Sequence, residues 1–274
     1  MTNFGRDLVL AHLTLPHLLP ADFISIAAET GFQGVSLRLI PASPPEEEQL
    51  PMFRSSPLLA RTIEQMEATG VYVNDIEVLK IEPDIDLAAL ERVLETAARL
   101  QARFLTVVAL DHVEERVADH LAAVAELSAS YGLATALECM AFMGIKTLAQ
   151  GERVIELSGR GDVGLIIDPL HLDRAGDSPS DVEKLAPERI AWVQLCDAGA
   201  RPDVTDNEAL IEEARGNRLV PGSGILPLSE IMAAVPDDAP VSLEVPTRGI
   251  IGSIPDADIA TMMRDAVVKI LVGY

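Results

Sequence analysis

Eight short runs rich in β-branched residues recur along the chain at intervals of roughly 30 residues, and this rhythm restricts the fold more than any other feature. The runs are Leu8–His12, Val35–Ile40, Val71–Leu79, Phe104–Ala109, Ala134–Cys139, Val163–Asp168, Ile190–Cys196 and Val241–Val245. Between most of them lie segments with helical apolar spacing, such as Leu87, Leu90, Val93, Leu94, Ala97 and Leu100. Gly70 after Arg61–Thr69 reads as a helix stop, and Ser180 with Glu183 as a capping box. A strand and its following helix fill about 30 residues, so eight units predict an α/β fold closed into a (β/α)8 TIM barrel. The alternative, a doubly wound open sheet, carries a glycine-rich turn after its first strand, and Leu8–Pro20 contains no glycine. No linker divides the chain. Residues 1–274 are therefore expected to form a single domain, with a long loop insertion at about 197–240. Within it, the charged stretch Asp203–Arg218 reads as a lid over the barrel mouth, and Pro221-Gly222-Ser223-Gly224 as a plain turn rather than a phosphate loop.

Composition narrows the function. Hydrophobic residues are 49% of the chain, enough for a sizeable core. Lys+Arg 21 against Asp+Glu 43 leaves a net charge of −22, which repels phosphate backbones and anionic lipid. Nucleic acid and membrane are thus not expected partners. Cys139 and Cys196 lie in apolar stretches and cannot build a disulfide framework, so they read as reduced thiols. Arg6, Asp7, His12 and His17 interrupt any signal-peptide run near the N-terminus, and no segment is long enough to span a bilayer. A cytoplasmic location is the expectation.

In a barrel of this kind, chemistry sits where strands run into their following loops. Four consecutive strands end on polar groups: Leu137-Glu138-Cys139, Ile167-Asp168-Pro169-Leu170-His171, Val193-Gln194-Leu195 and Leu243-Glu244-Val245. Three converging carboxylates repel one another, and burying each without a partner is costly. Something cationic must compensate. Basic residues are scarce on these strands, so one bound divalent cation is the economical answer. Three carboxylates and an amide oxygen are hard donors that suit Mn2+ or Mg2+, whereas zinc or copper would recruit His or Cys.

The pattern resembles the xylose-isomerase-like TIM barrels, the sugar phosphate isomerase/epimerase superfamily. Glu138, the Asp168-x-x-His171 step, Gln194 and Glu244 carry the likeness. Gly31-Phe32-Gln33-Gly34-Val35-Ser36-Leu37-Arg38 and Pro221-Gly222-Ser223-Gly224-Ile225 extend it over nearly the whole chain. The resemblance implies that Glu138, Asp168, Gln194 and Glu244 are the metal ligands. It also implies that Glu138 and Glu244 flank the substrate carbon as base and acid, while His171 hydrogen-bonds a substrate oxygen. Members of the family are epimerases, isomerases or dehydratases of sugars, sugar phosphates or cyclic polyol ketones. Many of its epimerases carry His where this chain has Gln194 and Lys where it has Cys196. Gln194 is more similar to the arrangement in 3-dehydroshikimate dehydratases.

The chemistry expected is proton abstraction next to a carbonyl, through an enediolate, in a sugar or related hydroxyketone. An isomerase or epimerase is the first reading, and a dehydratase of a cyclic hydroxyketone on the same site is the alternative. His12, Arg38, Glu77 and Arg248 are further candidates for substrate binding, being polar groups at or near strand ends. The loop Met140-Ala141-Phe142-Met143-Gly144 is apolar and points to a small-molecule substrate with an apolar portion. Barrels of this size often pair, so a homodimer is compatible with the sequence.

Overall fold

The computed structural model describes residues 5–40, 56–246 and 248–273. In it the apolar runs become the eight strands of a closed parallel barrel, each strand paired to the next and the last to the first. The strands are β1 (Leu8–Ala11), β2 (Gly34–Arg38), β3 (Tyr72–Ile81), β4 (Phe104–Ala109), β5 (Ala134–Glu138), β6 (Gly164–Ile167), β7 (Ile190–Leu195) and β8 (Val241–Leu243). The helices among the described residues are α1 (Pro20–Thr30), α2 (Ser56–Thr69), α3 (Leu87–Arg99), α4 (Glu114–Ser130), α5 (Leu148–Ser158), α6 (Pro169–Ala175), α7 (Pro179–Val182), α8 (Asn207–Gly216), α9 (Leu228–Ala234) and α10 (Asp256–Val272).

Local signals explain the boundaries. In α3 the apolar face buries Leu90, Leu94 and Ala97, and the Asp86 side chain caps its first turn by accepting from Ala89 N. Gly70 ends α2 with a positive φ of 75°, a conformation that favours glycine. The expected capping box at Ser180 and Glu183 is corrected to Ser178 and Asp181, two residues earlier. Pro179, with its fixed φ and no N–H, takes the first helical position and so moves the cap to Ser178.

Strand periodicity places the site. Alternate residues of a barrel strand point inward, and those from alternate strands stack in layers. Ala136, Ile166 and Trp192, from the consecutive strands β5, β6 and β7, pack together as an apolar cluster, with Trp192 fully buried and Phe104 packed 5.2 Å from its ring. Two residues further along the same strands come Glu138, Asp168 and Gln194, and Glu244 stands two beyond Ser242, which pairs with Gln194 in register. The polar residues thus form the next layer up, at the C-terminal mouth, resting on an apolar plug.

The insertion after β7 folds back as α8 and α9, and one carboxyl group organises its return. Asp197 forms a two-way backbone bridge with Leu219, 2.9 and 2.7 Å. Its side chain accepts from Ala198 N, Gly222 N, Gly224 N and Leu226 N at 2.8–3.1 Å. The expected plain turn at Pro221–Gly224 is therefore an anion nest already filled by the chain's own carboxyl group. A Cβ on Gly224 would lie 2.3 Å from Asp197 Oδ1, so only glycine fits there. Asp197→Ala leaves these N–H groups unsatisfied, and a loss of about 3 kcal/mol in urea-unfolding stability is expected. A change within about 0.5 kcal/mol would mean that other contacts hold the turn.

Candidate active site

The polar layer is occupied by a cation that the strands do not supply. Arg218, 2% exposed, reaches in from the end of the insertion. Its Nη1 donates to Asp168 Oδ2 at 2.6 Å, its Nη2 lies 2.8 Å from Glu244 Oε2, and its Nε donates to the Ala214 carbonyl at 2.9 Å. The same Nη1 is 3.3 Å from Cys196 Sγ. Basic residues are few on these strands, as expected, and this cation comes instead from beyond the end of α8. The charge absent from strand seven at Cys196 arrives from the loop, pinned there by the Asp197–Leu219 bridge immediately beyond it.

Asp168 and His171 are placed by the start of α6. The Asp168 side chain caps that helix, Oδ1 accepting from Leu170 N at 2.8 Å and His171 N at 3.2 Å, with Pro169 at the first helical position. Capping leaves Oδ2 for Arg218 and sets His171 beside the acids. Burial alone would raise Asp168, but Arg218 and the neighbouring His171 outweigh it and hold the carboxyl below its ordinary range. Glu138, Glu77 and Glu244 are pushed up, in each case first by burial; for Glu138 and Glu77 the next cause is the charge of Glu244. Arg218 and Arg38 pull Glu77 and Glu244 the other way without outweighing burial.

Glu138, Asp168 and His171 each present a ligand atom, all within 4.8 Å of one another, and all three residues are buried. His171 Nε2 is buried without a hydrogen-bond partner and stands 4.0 Å from Glu138 Oε1. Burial pushes His171 down to about 4, so the ring is neutral at pH 7 and able to offer a lone pair. An orphaned imidazole nitrogen among carboxylates with uncompensated charge fits a divalent cation. Gln194, the expected oxygen donor, is engaged by its neighbours. Its Nε2 faces Glu138 Oε1 at 3.3 Å, it also bonds Glu244, and its Oε1 faces Trp192 Nε1 at 3.5 Å. The donor set with the best convergence is Glu138, Asp168 and His171, one nitrogen and two carboxylates.

A cavity opens above the layer. Glu77, Glu138, His171, Gln194, Arg218 and Glu244 line its polar part, and Arg38 is also on its wall. Leu13, Val108, Met140, Phe142 and Met143 form an apolar part, with the Phe142 ring edge-on to His171 at 5.4 Å. The Met140–Gly144 loop leans on β4 closely enough that Gly144 N bonds the Ala109 carbonyl, and a Cβ at Gly144 would collide with the Asp111 backbone.

Two substrate-binding candidates are corrected. His12 is a core residue whose Nε2 pairs with the Leu18 carbonyl and whose Nδ1 receives Arg38 N, stacked on Phe23. Arg248 is exposed and pairs with Glu212 at 2.6 Å on the outer side of α8. Asp75, beside Glu77 in sequence, is sealed beneath the mouth by Ser36, Asn74 and Thr106. Arg218, Lys80 and Arg215 were not singled out by strand-end reasoning, because two of them come from the insertion and Lys80 lies beyond the expected end of its strand.

A family model for xylose isomerase-like TIM barrels matches residues 24–266, and the chain belongs to that family. An inosose isomerase of Halalkalibacterium halodurans is 25% identical over 155 residues; the match covers 51% of this chain and spans only about half of that protein, 51%. Among solved structures, the IOLI protein with a bound zinc atom superposes with a TM-score of 0.83 at 16% identity, covering 98% of this chain and 99% of that one. The probable 3-DHS dehydratase AsbF of Bacillus anthracis gives a TM-score of 0.76 at 18% identity, covering 96% of this chain and 98% of that one.

Removing the internal cation should expose its role. Arg218→Met strands buried acids, and a loss of about 3–5 kcal/mol is expected at pH 7 without added metal. Asp168 is held below its ordinary value, so its pairing stabilises fully above about pH 4 and is lost as pH falls through the lowered value. The penalty in thermal unfolding should therefore shrink on acidification. A pH-independent penalty would show that Arg218 acts by packing alone.

Proposed function

We propose that the protein is a divalent-metal-dependent isomerase or epimerase of a sugar or related hydroxyketone, working by proton abstraction next to a carbonyl. The observation that carries this reading is the convergence of Glu138, Asp168 and His171 within 4.8 Å at the floor of the mouth cavity. Glu244 joins them through its shared contact with Arg218. These residues, or Gln194 after rotation of its amide, would hold one Mn2+ or Mg2+; an imidazole ligand favours Mn2+ of the two. When bound, the ion would polarise the substrate carbonyl and stabilise the enediolate that follows deprotonation.

The chain's own groups supply the rest. Glu138 from β5 and Glu244 from β8 both line the cavity, where one removes the proton on the carbon next to the carbonyl and the other returns a proton. Return to the opposite face gives an epimer, and return to the neighbouring carbon gives an isomer. Arg218 keeps Glu244 oriented and offsets part of the negative charge that accumulates. The Gln194 amide is placed to donate to a substrate oxygen, and Glu77, buried on the cavity wall with Oε1 unpartnered, is placed to accept from a hydroxyl. Phe142 and Met143 limit water at the reacting carbon and suit a substrate with an apolar portion. Both cysteines are free and buried, which supports a cytoplasmic location, and no described helix is long and apolar enough to cross a membrane.

The relatives support sugar or cyclitol chemistry, since one is an inosose isomerase and another a probable 3-DHS dehydratase. A second reading, loss of a β-hydroxyl from a cyclic hydroxyketone, is favoured by the apolar wall of Met140, Phe142 and Met143. Product analysis in deuterated water separates the two. The first reading predicts solvent deuterium at the exchanged carbon with no loss of water; an unsaturated ketone would establish the second. Glu138→Gln and Glu244→Gln should each slow exchange by about 100-fold or more, and a variant with full activity would remove that residue from proton transfer. Phe142→Ser with Met143→Ser should weaken cyclic ketones more than open-chain sugars, and equal effects would sink the apolar-substrate idea.

A further inference from the structure

The insertion after β7 is closed on itself at a neck. Asp197 and Leu219 exchange two backbone hydrogen bonds there, and residues 198–218, which include α8, stand out between them as a flap. The end of that flap supplies Ala214, Arg215 and Arg218 to the wall of the mouth cavity. How firmly α8 is seated therefore decides how open the cavity is. Of its ten residues α8 buries Leu210, Ala214 and Gly216, and of these only Ala214 joins the main hydrophobic core. By comparison, α10 buries Ile259, Ala260, Met263 and Val267, all within that core. A helix with so little apolar contact belongs to the low-stability part of a fold, so its polar contacts must hold it down.

Arg174 makes the strongest of these contacts. It stands on α6 one turn beyond His171, with its side chain 1% exposed. Nε and Nη2 donate to the two oxygens of Glu213 at 2.9 and 2.7 Å, and Nη2 also donates to the Gly199 carbonyl at 3.1 Å. One guanidinium thus grips the flap near its start and again in the last turn of α8, with the bidentate geometry that makes such pairs strong. The other clasp, Arg248 on Glu212, is more than half exposed on both sides and is worth little. The grip passes directly to the acid layer. Ala214, next to Glu213, accepts from Arg218 Nε at 2.9 Å, and Arg218 Nη1 lies against the fully buried Cys196 Sγ at 3.3 Å.

We propose that Arg174 is a positioning residue: it latches α8 as a cover that swings on the Asp197–Leu219 neck, and acts through Glu213 and Ala214 on Arg218. Opening the cover breaks the Arg174–Glu213 pair, takes the Ala214 carbonyl from Arg218 and gives solutes a path to the acid layer and to Cys196. The inference rests on the reading above only in taking the cavity as the substrate's place; the contacts that carry it involve no metal. The chain's two cysteines report on it. Cys196 lies against the latched Arg218, whereas Cys139 packs on Gly151 of α5, outside the flap. The protein as purified is labelled with N-ethylmaleimide, and peptide mass spectrometry gives the rate at each cysteine in wild type, Arg174→Gln and Glu213→Gln. Glu213 is the more exposed partner of the pair, so its substitution breaks the clasp without disturbing the buried position of Arg174 and decides the matter where Arg174→Gln fails to fold. Both variants should label Cys196 about tenfold or more faster than wild type, the worth of one charge-assisted hydrogen bond, with Cys139 unchanged. An unchanged rate at Cys196 in Glu213→Gln would overturn the inference. Equal acceleration at both cysteines would also overturn it, because that reports loosening of the whole barrel rather than of the cover. The assay uses neither added metal nor substrate, so failure of the protein to take up Mn2+ would overturn the metal reading and leave the latch to be judged by its own result.

Discussion

The structure depends on how four buried carboxyl groups at one end of a barrel are kept from repelling one another. Glu77, Glu138, Asp168 and Glu244 are all buried at the mouth, in an environment where an unpaired charge is expensive. Arg218 offsets part of this by bonding Asp168 and Glu244 at once, while Glu138 lies beside the unpartnered nitrogen of His171. The result is a layer in which buried carboxyl groups still crowd one another around an unpartnered imidazole nitrogen. That crowding is the physical basis of the cation affinity on which the proposed chemistry rests.

The rest of the mouth serves this arrangement. Trp192 and its neighbours close the barrel below the acid layer, so the polar groups meet a solid apolar floor rather than solvent. The Asp168 cap locks α6 to the end of β6 and carries His171 with it. The Asp197 nest returns the insertion to the end of β7 and so fixes the position of Arg218. Arg174, one turn beyond His171, clasps Glu213 and ties α8 to α6. These ties fasten α6 and the insertion to the strand ends and to each other, consistent with a scaffold whose stability lies in the barrel and whose specificity lies in the loops.

The fold was legible in the sequence because strand and helix periods differ and alternate with a constant rhythm; the strand ends moved by only a few residues. The acid layer was legible for the same reason, since a carboxyl group directly after an apolar run must sit where the strand leaves the core. What escaped was the counter-charge. Arg218 is distant in sequence from Asp168 and Glu244, in a stretch with many charges, next to the Asp197–Leu219 bridge that returns the insertion to the barrel. His12 failed in the opposite direction: its place on an apolar strand suggested a site, but two backbone groups satisfy it. Arg248 is close to Glu244 in sequence, yet the chain turns away after β8 and leaves it on the surface with Glu212. Side chains whose role depends on a long-range pairing carry little local pattern.

The central claim is that the acid layer is built to hold a divalent ion despite containing its own arginine. Titration of Mn2+ into the metal-free protein by calorimetry at neutral pH, for wild type and for Asp168→Asn, tests it most directly. The account predicts binding near one ion per chain in wild type, much weakened by the substitution although Asn retains the size of the cap. Absence of binding in wild type, or undiminished binding in Asp168→Asn, would contradict it.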